Sequence, residues 1–200
     1  MYGDKWFDTD ASIKRARQDE ALCAISKTVR ADDTMANESD ELPKRIAATL
    51  KGYKIVSITR VKDGKMELLY ETLRKSMADS TERTWLFHGT THAAAAKIIK
   101  SGFNRSYCGR NATVFGKGVY FARDISYSTQ AQYSPPDYKG EKVILAARVA
   151  TGRTILGNAS MIEPPDEFDT SVDSTLEPTI FVVYKDFQAI PEYEIRLAVA

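Results

Sequence analysis

The distribution of apolar runs along the chain constrains the fold more than any other feature of the sequence. The second half holds β-branched and aromatic runs typical of strands, at residues 119–122, 142–149, 179–184 and 193–199. The first half is richer in helical spacing, which predicts helices over 11–31, 42–50 and 66–77. Because strands and helices are segregated along the chain, the pattern predicts an α+β fold rather than alternating βαβ units.

The stretch from Trp85 to Thr91, with the sequence WLFHGTT, is an apolar run that ends in a polar corner. Its first three side chains predict a buried strand, and Thr90 or Thr91 is expected to cap the helix that follows. A histidine at the end of such a strand, taken alone, is more often a core residue than a functional one. His88 therefore becomes a candidate site residue only if other motifs support it.

The composition is that of an ordinary globular domain, with 43% hydrophobic and 28% charged residues. The net charge of +1 predicts no bulk attraction to nucleic acid or to anionic membranes. The two cysteines, Cys23 and Cys108, lie far apart without metal-ligand spacing, which favours a reducing compartment. With neither a secretory signal nor a membrane span expected, the sequence predicts a cytoplasmic or nuclear protein.

Glycines in the long loop from Phe103 to Gly118 invite a nucleotide-binding interpretation, but the common motifs fail. Gly109 and Gly116 are too far apart to be the two glycines of a P-loop, and no Ser or Thr follows Lys117. The pair Gly116 and Gly118 lacks the third glycine of a dinucleotide-binding turn and leads into a strand. Both assignments are rejected.

Several motifs, in their order and spacing, resemble the catalytic domain of the poly(ADP-ribose) polymerase superfamily. They are LFHGT at 86–90, GFNRSY at 102–107, FGKGVYFA at 115–122, Ser128, YSP at 133–135, PTIFVVY at 178–184 and QAIPEYEI at 188–195. The resemblance covers about residues 40–200 and is strongest to the branch that transfers single ADP-ribose units. It implies a diphtheria-toxin-like ADP-ribosyltransferase fold, in which two packed, mostly antiparallel sheets flanked by helices form an NAD cleft. It also implies NAD as co-substrate and no metal.

The resemblance assigns to NAD binding the residues His88, Gly89, Thr90, Tyr107, Tyr120, Ser128 and Tyr133. His88 would hydrogen-bond the hydroxyls of the adenosine-side ribose, a task suited to a neutral imidazole that can donate and accept. Tyr107, with the glycines around it, would belong to a flap over the dinucleotide.

The same resemblance implies how the nicotinamide end of NAD would be held. Gly89 would offer its backbone N–H and C=O to the carboxamide, and without a Cβ it permits close approach. Ser128 would add a hydroxyl to the same amide. Tyr120 and Tyr133 would sandwich the positively charged pyridinium between aromatic faces.

The third catalytic position departs from the polymerising members of the family. The implied triad is His88, Tyr120 and Ile180, whereas polymerising members carry glutamate in place of the isoleucine. An aliphatic side chain can neither polarise a ribose hydroxyl nor assist chain elongation. Glu177 is an odd number of strand residues away, and Asp186 is roughly 20 Å away along the strand, so neither is a convincing replacement.

These observations predict a mono-ADP-ribosyltransferase in which residues 39–200 form the catalytic domain and residues 1–38 a helical extension or linker. The expected acceptor is a protein side chain, including those of the chain itself. Two alternatives stay open: an inactive binding module that has lost NAD, and transfer to nucleic-acid ends, which the composition does not support. The presence of every NAD-binding residue implied by the resemblance favours the active enzyme over the inactive module.

Overall fold

The computed structural model describes residues 38–107 and 113–200, so the helix expected over 11–31 lies outside the described residues. In these ranges the helices are α1 (Glu38–Thr49), α2 (Gly64–Ser76), α3 (His92–Ser101), the 3₁₀ helix Arg105–Tyr107 and α4 (Ile125–Ser128). The strands are β1 (Tyr53–Arg60), β2 (Glu82–Thr90), β3 (Val119–Ala122), β4 (Lys142–Ala150), β5 (Thr154–Leu156), β6 (Thr170–Val172), β7 (Ile180–Val183) and β8 (Ala189–Val199). The α+β prediction is confirmed. None of the described helices is both long and apolar enough to cross a membrane.

The strands form one hydrogen-bonded sheet in the order β1-β8-β4-β2-β3-β7-β6-β5, in which only the β5–β6 pair is parallel. The mostly antiparallel arrangement is confirmed, but the two sheets expected from the resemblance are joined into one. Its two four-stranded halves meet where β2 pairs with β3, and the register there consists of a single pair, Phe87 opposite Ala122. Beyond this pair the ladder between the halves stops, which leaves the edge of β2 accessible to other groups.

Apolar side chains cover both faces of the sheet. On one face α3 packs Ile98 and Ile99 against a cluster that contains Leu86 and Phe121. On the other face α1 buries Leu42 and Ile46. The expected burial of Trp85, Leu86 and Phe87 is confirmed, with exposed fractions of 8%, 1% and 1%. Burial of each such side chain contributes roughly 1.5–3 kcal/mol, so β2 is firmly anchored before it reaches His88.

A β-bulge in β2 determines which way the residues that follow it face. The register between β2 and β4 shifts between Arg83 and Leu86, and Trp85 adopts φ 56°, a left-handed conformation rare outside glycine. As a result Trp85 and Phe87 belong to the cluster on the α1 face, while Leu86 belongs to the cluster on the α3 face. The bulge thus fixes the register in which His88 and Gly89 reach the end of the strand.

From the sequence, Asp124 is expected to cap a helix that runs to Gln132, and the acidic, proline-containing residues 157–177 are expected to form a loop. The structure corrects both predictions. The helix expected from Asp124 to Gln132 consists only of Ile125–Ser128, and the Asp124 side chain makes no capping hydrogen bond. The helix ends because Thr129 donates its hydroxyl back to the Ser126 carbonyl, while the Lys142 ammonium donates to the Thr129 carbonyl at 2.6 Å. The region 157–177, expected to be a loop, contains the short buried strand β6.

Candidate active site

His88 lies in β2 opposite Leu145 of β4, half-buried between aromatic rings. Its ring centroid is 5.3 Å from that of Phe103 and 5.6 Å from that of Phe121. Nδ1 is 2.8 Å from the carbonyl oxygen of Tyr120 in β3. A carbonyl has no proton to give, so Nδ1 carries the hydrogen, and in the neutral ring Nε2 is left as an acceptor. The expected role is that of an imidazole that both donates to and accepts from the ligand. Because Nδ1 donates to the Tyr120 carbonyl, neutral His88 can only accept a hydrogen bond from a ligand, through Nε2.

Burial is the main reason why the pKa of His88 lies below its ordinary value, although the hydrogen bond to the Tyr120 carbonyl opposes the shift. The ring is therefore neutral at pH 7, which is the form in which Nε2 can accept a hydrogen bond. Because the unfolded chain takes up a proton near pH 6.5 that the folded ring resists, folding is disfavoured as the pH falls.

We expect the free energy of unfolding to fall as the pH is lowered from about 6.5 through the folded pKa of His88, by at most about 1.4 kcal/mol per pH unit from this group. Above pH 6.5 the ring is neutral in both states and contributes no slope. Urea unfolding at pH 7.5, 6.5 and 5.5 measures the effect, with His88→Gln as the non-titrating comparison. Equal pH dependence in the two proteins would contradict the assignment.

Gly89 follows at the point where β2 contacts α4. A Cβ on this residue would lie well inside van der Waals distance of the Ser128 carbonyl oxygen and 3.0 Å from the Tyr133 Cβ. The glycine is thus required by protein packing, whereas the sequence suggests close approach of a ligand. Its backbone groups face the same side of β2 as those of Phe87, two residues earlier, whose carbonyl accepts from the Ser128 hydroxyl at 3.0 Å. This is the side on which β3 stops pairing, so the N–H and C=O of Gly89 point toward the cleft.

Two of the residues expected around the nicotinamide, Ser128 and Tyr133, lie at the end of α4 and shortly after it. Ser128 is 3% exposed. Tyr133 stacks on Tyr127 with ring centroids 5.1 Å apart and an interplanar angle of 22°, and the two hydroxyls are 2.9 Å apart. Burial, followed by the hydrogen bond to Tyr133, raises the pKa of Tyr127 to about 12. Sequence reasoning missed Tyr127, although it directly precedes Ser128 in the same motif.

Tyr120 links His88 to the glycine-rich loop. Its carbonyl accepts from His88, while its hydroxyl donates to the Gly116 carbonyl at 2.8 Å and accepts from the Phe115 N–H at 3.0 Å. Gly116 has φ 131°, and a Cβ there would collide with the Tyr184 hydroxyl. The loop is therefore held against β3 and β7. The expected sandwich of the nicotinamide ring between Tyr120 and Tyr133 stays a prediction.

Two further expected residues are placed less completely. Thr90 is buried at the end of β2, opposite Val143. Tyr107 ends the 3₁₀ helix, but its side chain and Cys108 lie outside what the structure describes. The contact between Tyr107 and the dinucleotide thus stays a prediction.

Ile180 begins β7 opposite Ala122 and is 4% exposed. Its N–H donates to the Asp173 carboxylate at 3.0 Å, and Thr179 donates to the same carboxylate through its N–H and its hydroxyl. Burial acts to raise the pKa of the Asp173 carboxyl, but the hydrogen bonds from Thr179 and Ile180 outweigh it, so the pKa is lowered. Glu177 and Asp186 are exposed.

A cavity of about 260 Å³ opens beside Ile180. Its lining residues are Ala122, Asp124, Ser126, Tyr127, Gln130, Thr179 and Ile180. Tyr127 thus connects the aromatic pair to this cavity, and Asp124 brings a carboxylate to it. The sequence could not show that Asp124 lies close to Ile180, because β3 and β7 are about 60 residues apart in the chain. No group of three or more His, Cys, Asp or Glu side chains able to hold a metal ion is found in the ranges 38–107 and 113–200.

An α+β domain with a neutral histidine, a packed glycine and an aromatic pair at a strand-edge cleft has the architecture of an ADP-ribosyltransferase. Comparison with known families agrees, since residues 36–172 match the poly(ADP-ribose) polymerase catalytic domain. The chain belongs to this family.

Three curated relatives are named protein mono-ADP-ribosyltransferases. The chain is 36% identical to human PARP14 over 170 residues, which is 79% of this chain and 9% of that protein. It is 37% identical to mouse PARP10 over 153 residues (71% and 16%) and 33% identical to human PARP12 over 178 residues (82% and 25%). The chain therefore spans a quarter or less of the length of these relatives.

Proposed function

We propose that this chain transfers single ADP-ribose units from NAD to an acceptor and releases nicotinamide. The observation that carries the proposal is the combination of an acceptor nitrogen on His88 with an aliphatic Ile180. The names of the relatives support the same activity. The catalytic domain comprises residues 39–200, because α1 buries Leu42 and Ile46 in the core and β8 pairs with β1 as far as Val199.

In this proposal NAD lies along the cleft edge of β2. Nε2 of His88 accepts a hydrogen bond from the adenosine-side ribose. The N–H and C=O of Gly89 bind the carboxamide, and the Ser128 hydroxyl contributes by turning away from the Phe87 carbonyl. Thr90 and Tyr107 complete the dinucleotide contacts. Each hydrogen bond supplied here is modest, so orientation of the dinucleotide comes from the set rather than from one group.

Aromatic side chains hold the pyridinium ring of NAD, which carries one end of the bond that breaks. The pyridinium of NAD is positive, and the ring faces of Tyr120 and Tyr133 stabilise it while it is bound. Tyr127 covers one face of Tyr133 and fixes the plane of that ring. When the bond from the ribose C1′ to the pyridinium nitrogen breaks, the electron pair leaves with nicotinamide, which becomes neutral. The C1′ carbon is then attacked by the acceptor from the opposite side.

Ile180 limits the product. A glutamate at this position would accept a hydrogen bond from a ribose hydroxyl and would activate the hydroxyl of a second ADP-ribose unit. The isoleucine side chain has no polar atom, so a bound ADP-ribose gains no activation as a new acceptor. Transfer therefore stops after one unit, and the preferred acceptor is a protein side chain, including those of this chain.

Incubation of the purified chain with labelled NAD tests the proposal. We expect one sharp labelled band on a denaturing gel and release of free nicotinamide. In a thermal-shift titration, millimolar NAD should stabilise the protein, by about 2.7 kcal/mol at 100 times the dissociation constant. A ladder of slowly migrating products would contradict single-unit transfer. The absence of both stabilisation and nicotinamide release would favour the inactive binding module.

A further inference from the structure

Activation of the acceptor is the step for which the site described above has no group, and the cavity beside Ile180 offers one. Its wall combines an aliphatic floor, formed by Ala122 and Ile180, with the polar side chains of Asp124, Ser126, Tyr127, Gln130 and Thr179. The volume of about 260 Å³ is large enough for one amino-acid side chain. The cavity borders the proposed site through Ile180, the third residue of the implied triad, and through Tyr127, which stacks on Tyr133.

Asp124 is the charged residue in this lining, and the backbone directs it there. Ala122 pairs directly with Ile180, and Arg123 continues the ladder by donating its N–H to the Thr179 carbonyl at 2.8 Å. Asp124 itself is extended, with φ −111° and ψ 131°. Residues two apart in extended chain share a face, so Asp124 lies on the same face of the sheet as Ala122 and Ile180.

The Asp124 carboxylate is not committed to a structural task. It stands at the N-cap position of α4 but accepts no capping hydrogen bond. Its ion pair with Arg123 is loose, at 3.8 Å from Nε to Oδ2, and both side chains are 41% exposed. Arg45 is held nearby, where it donates to the carbonyls of Thr84 and Arg123. The two guanidinium groups keep positive charge close to the carboxylate without enclosing it.

Asp173 is also close to Ile180 but has a different role. Both of its oxygens accept hydrogen bonds from Thr179 or Ile180, and these bonds hold the turn that enters β7. It is not among the residues that line the cavity. Asp173 therefore positions β7, whereas Asp124 is exposed to whatever enters the cavity.

We propose that Asp124 is the general base for the acceptor, and that the preferred acceptor is a hydroxyl side chain. This inference rests on the proposed function. In the step, the bond from C1′ to nicotinamide breaks and the electron pair leaves with nicotinamide. The acceptor oxygen forms the new bond to C1′, and its proton passes to the Asp124 carboxylate. A carboxylate acceptor has no proton to lose at neutral pH and gains nothing from this base.

The arrangement also selects for the acceptor by hydrogen bonding. Ser126, Gln130 and Thr179 are neutral groups that can bind the backbone of a peptide around the modified residue. An Asp or Glu acceptor would place a second negative charge beside Asp124. The site therefore favours serine, threonine or tyrosine in a peptide of neutral or basic character.

The test compares wild type, Asp124→Asn, Asp124→Ala and the control Glu177→Gln on two peptides that differ only in one residue, Ser or Glu. The control removes an exposed carboxylate in the nearby loop that does not line the cavity. We expect the wild type to prefer the Ser peptide. Asp124→Asn should lower kcat/KM for this peptide roughly 100-fold, the usual contribution of a general base, with the NAD dissociation constant changed less than twofold. Glu177→Gln should match wild type, and formate should partly restore transfer by Asp124→Ala.

Several outcomes would overturn the proposal. Two of them are near-wild-type transfer to the Ser peptide by Asp124→Asn and a preference of the wild type for the Glu peptide. Loss of NAD affinity in Asp124→Asn would assign the residue a structural role instead. If wild type modifies neither peptide, mass spectrometry of the self-modified chain decides, and an Asp or Glu adduct overturns the proposal. Failure of wild type to bind NAD or release nicotinamide would refute the proposed function itself.

Discussion

Replacing His88 by alanine is expected to lower kcat/KM for NAD, measured as nicotinamide release, by up to roughly 100-fold. The substitution removes the Nε2 acceptor and leaves the Tyr120 carbonyl without its donor at 2.8 Å. A ribose hydroxyl left unsatisfied in the bound state costs about 1–3 kcal/mol, which corresponds to a factor of roughly 5 to 150 in rate, whereas the unpaired Tyr120 carbonyl lowers the stability of the fold. The fold should survive, since Trp85, Leu86 and Phe87 still anchor β2.

His92→Ala is the matched control, because His88 and His92 are the two histidines of the chain and are four residues apart. His92 is the first residue of α3. Its Nε2 lies 3.1 Å from the Glu141 carbonyl and not at the Tyr120 carbonyl that His88 contacts. We expect its nicotinamide release to stay within about twofold of wild type, with circular dichroism showing folded protein for both variants. Equal loss of activity in the two variants would mean that the histidine of β2 acts through stability and not through NAD.

How much of this site the sequence predicts depends on how local its cause is. The burial of Trp85 to Phe87 and the placement of His88 at a strand end follow from side chains that are neighbours in the sequence. The bulge at Trp85 does not, because nothing in a tryptophan favours φ 56°. Its conformation is imposed by pairing with β4, some 60 residues later.

Longer-range contacts account for the other differences. The strand β6 contains Thr170 and Ser171, which do not look like core residues. They are buried because Gln188 donates to Thr170, and Ser171 donates to the Phe115 carbonyl. The helix after Asp124 is short because Lys142, from another strand, binds the Thr129 carbonyl.

Gly89 shows that a motif can identify a residue of the site without identifying the contact that requires it. The motif attributes the need for glycine at position 89 to close approach of a ligand, and that contact stays a prediction. The neighbours that exclude the Cβ are Ser128, the last residue of α4, and Tyr133, which follows the helix. The residue can be found from a motif, whereas its partner can be found only from the packing of α4 on β2.

Gly89→Ala is accordingly expected to damage both stability and NAD binding. The methyl group would overlap the backbone carbonyl of Ser128, which cannot rotate away as a side chain would, and would crowd Tyr133. Helix α4 must shift, and the Ser128 hydroxyl shifts with it from the Phe87 carbonyl. We expect the free energy of unfolding to fall by about 1–3 kcal/mol, as for other overpacked sites, and NAD affinity to fall at least about 10-fold.

Gly64→Ala provides the control for adding the same methyl group elsewhere. Gly64 is the first residue of α2 and has no positive φ, and a Cβ added there would have no atom within 4 Å apart from its chain neighbours and the backbone of its own helix. Alanine there should leave NAD affinity unchanged and should stabilise the protein by up to about 1 kcal/mol through the lower entropy of the unfolded chain. Urea unfolding and NAD titration of both variants measure the difference. If Gly89→Ala matched Gly64→Ala in both measurements, α4 would not be packed on β2 as described, and the carboxamide contacts assigned to Gly89 would lose their support.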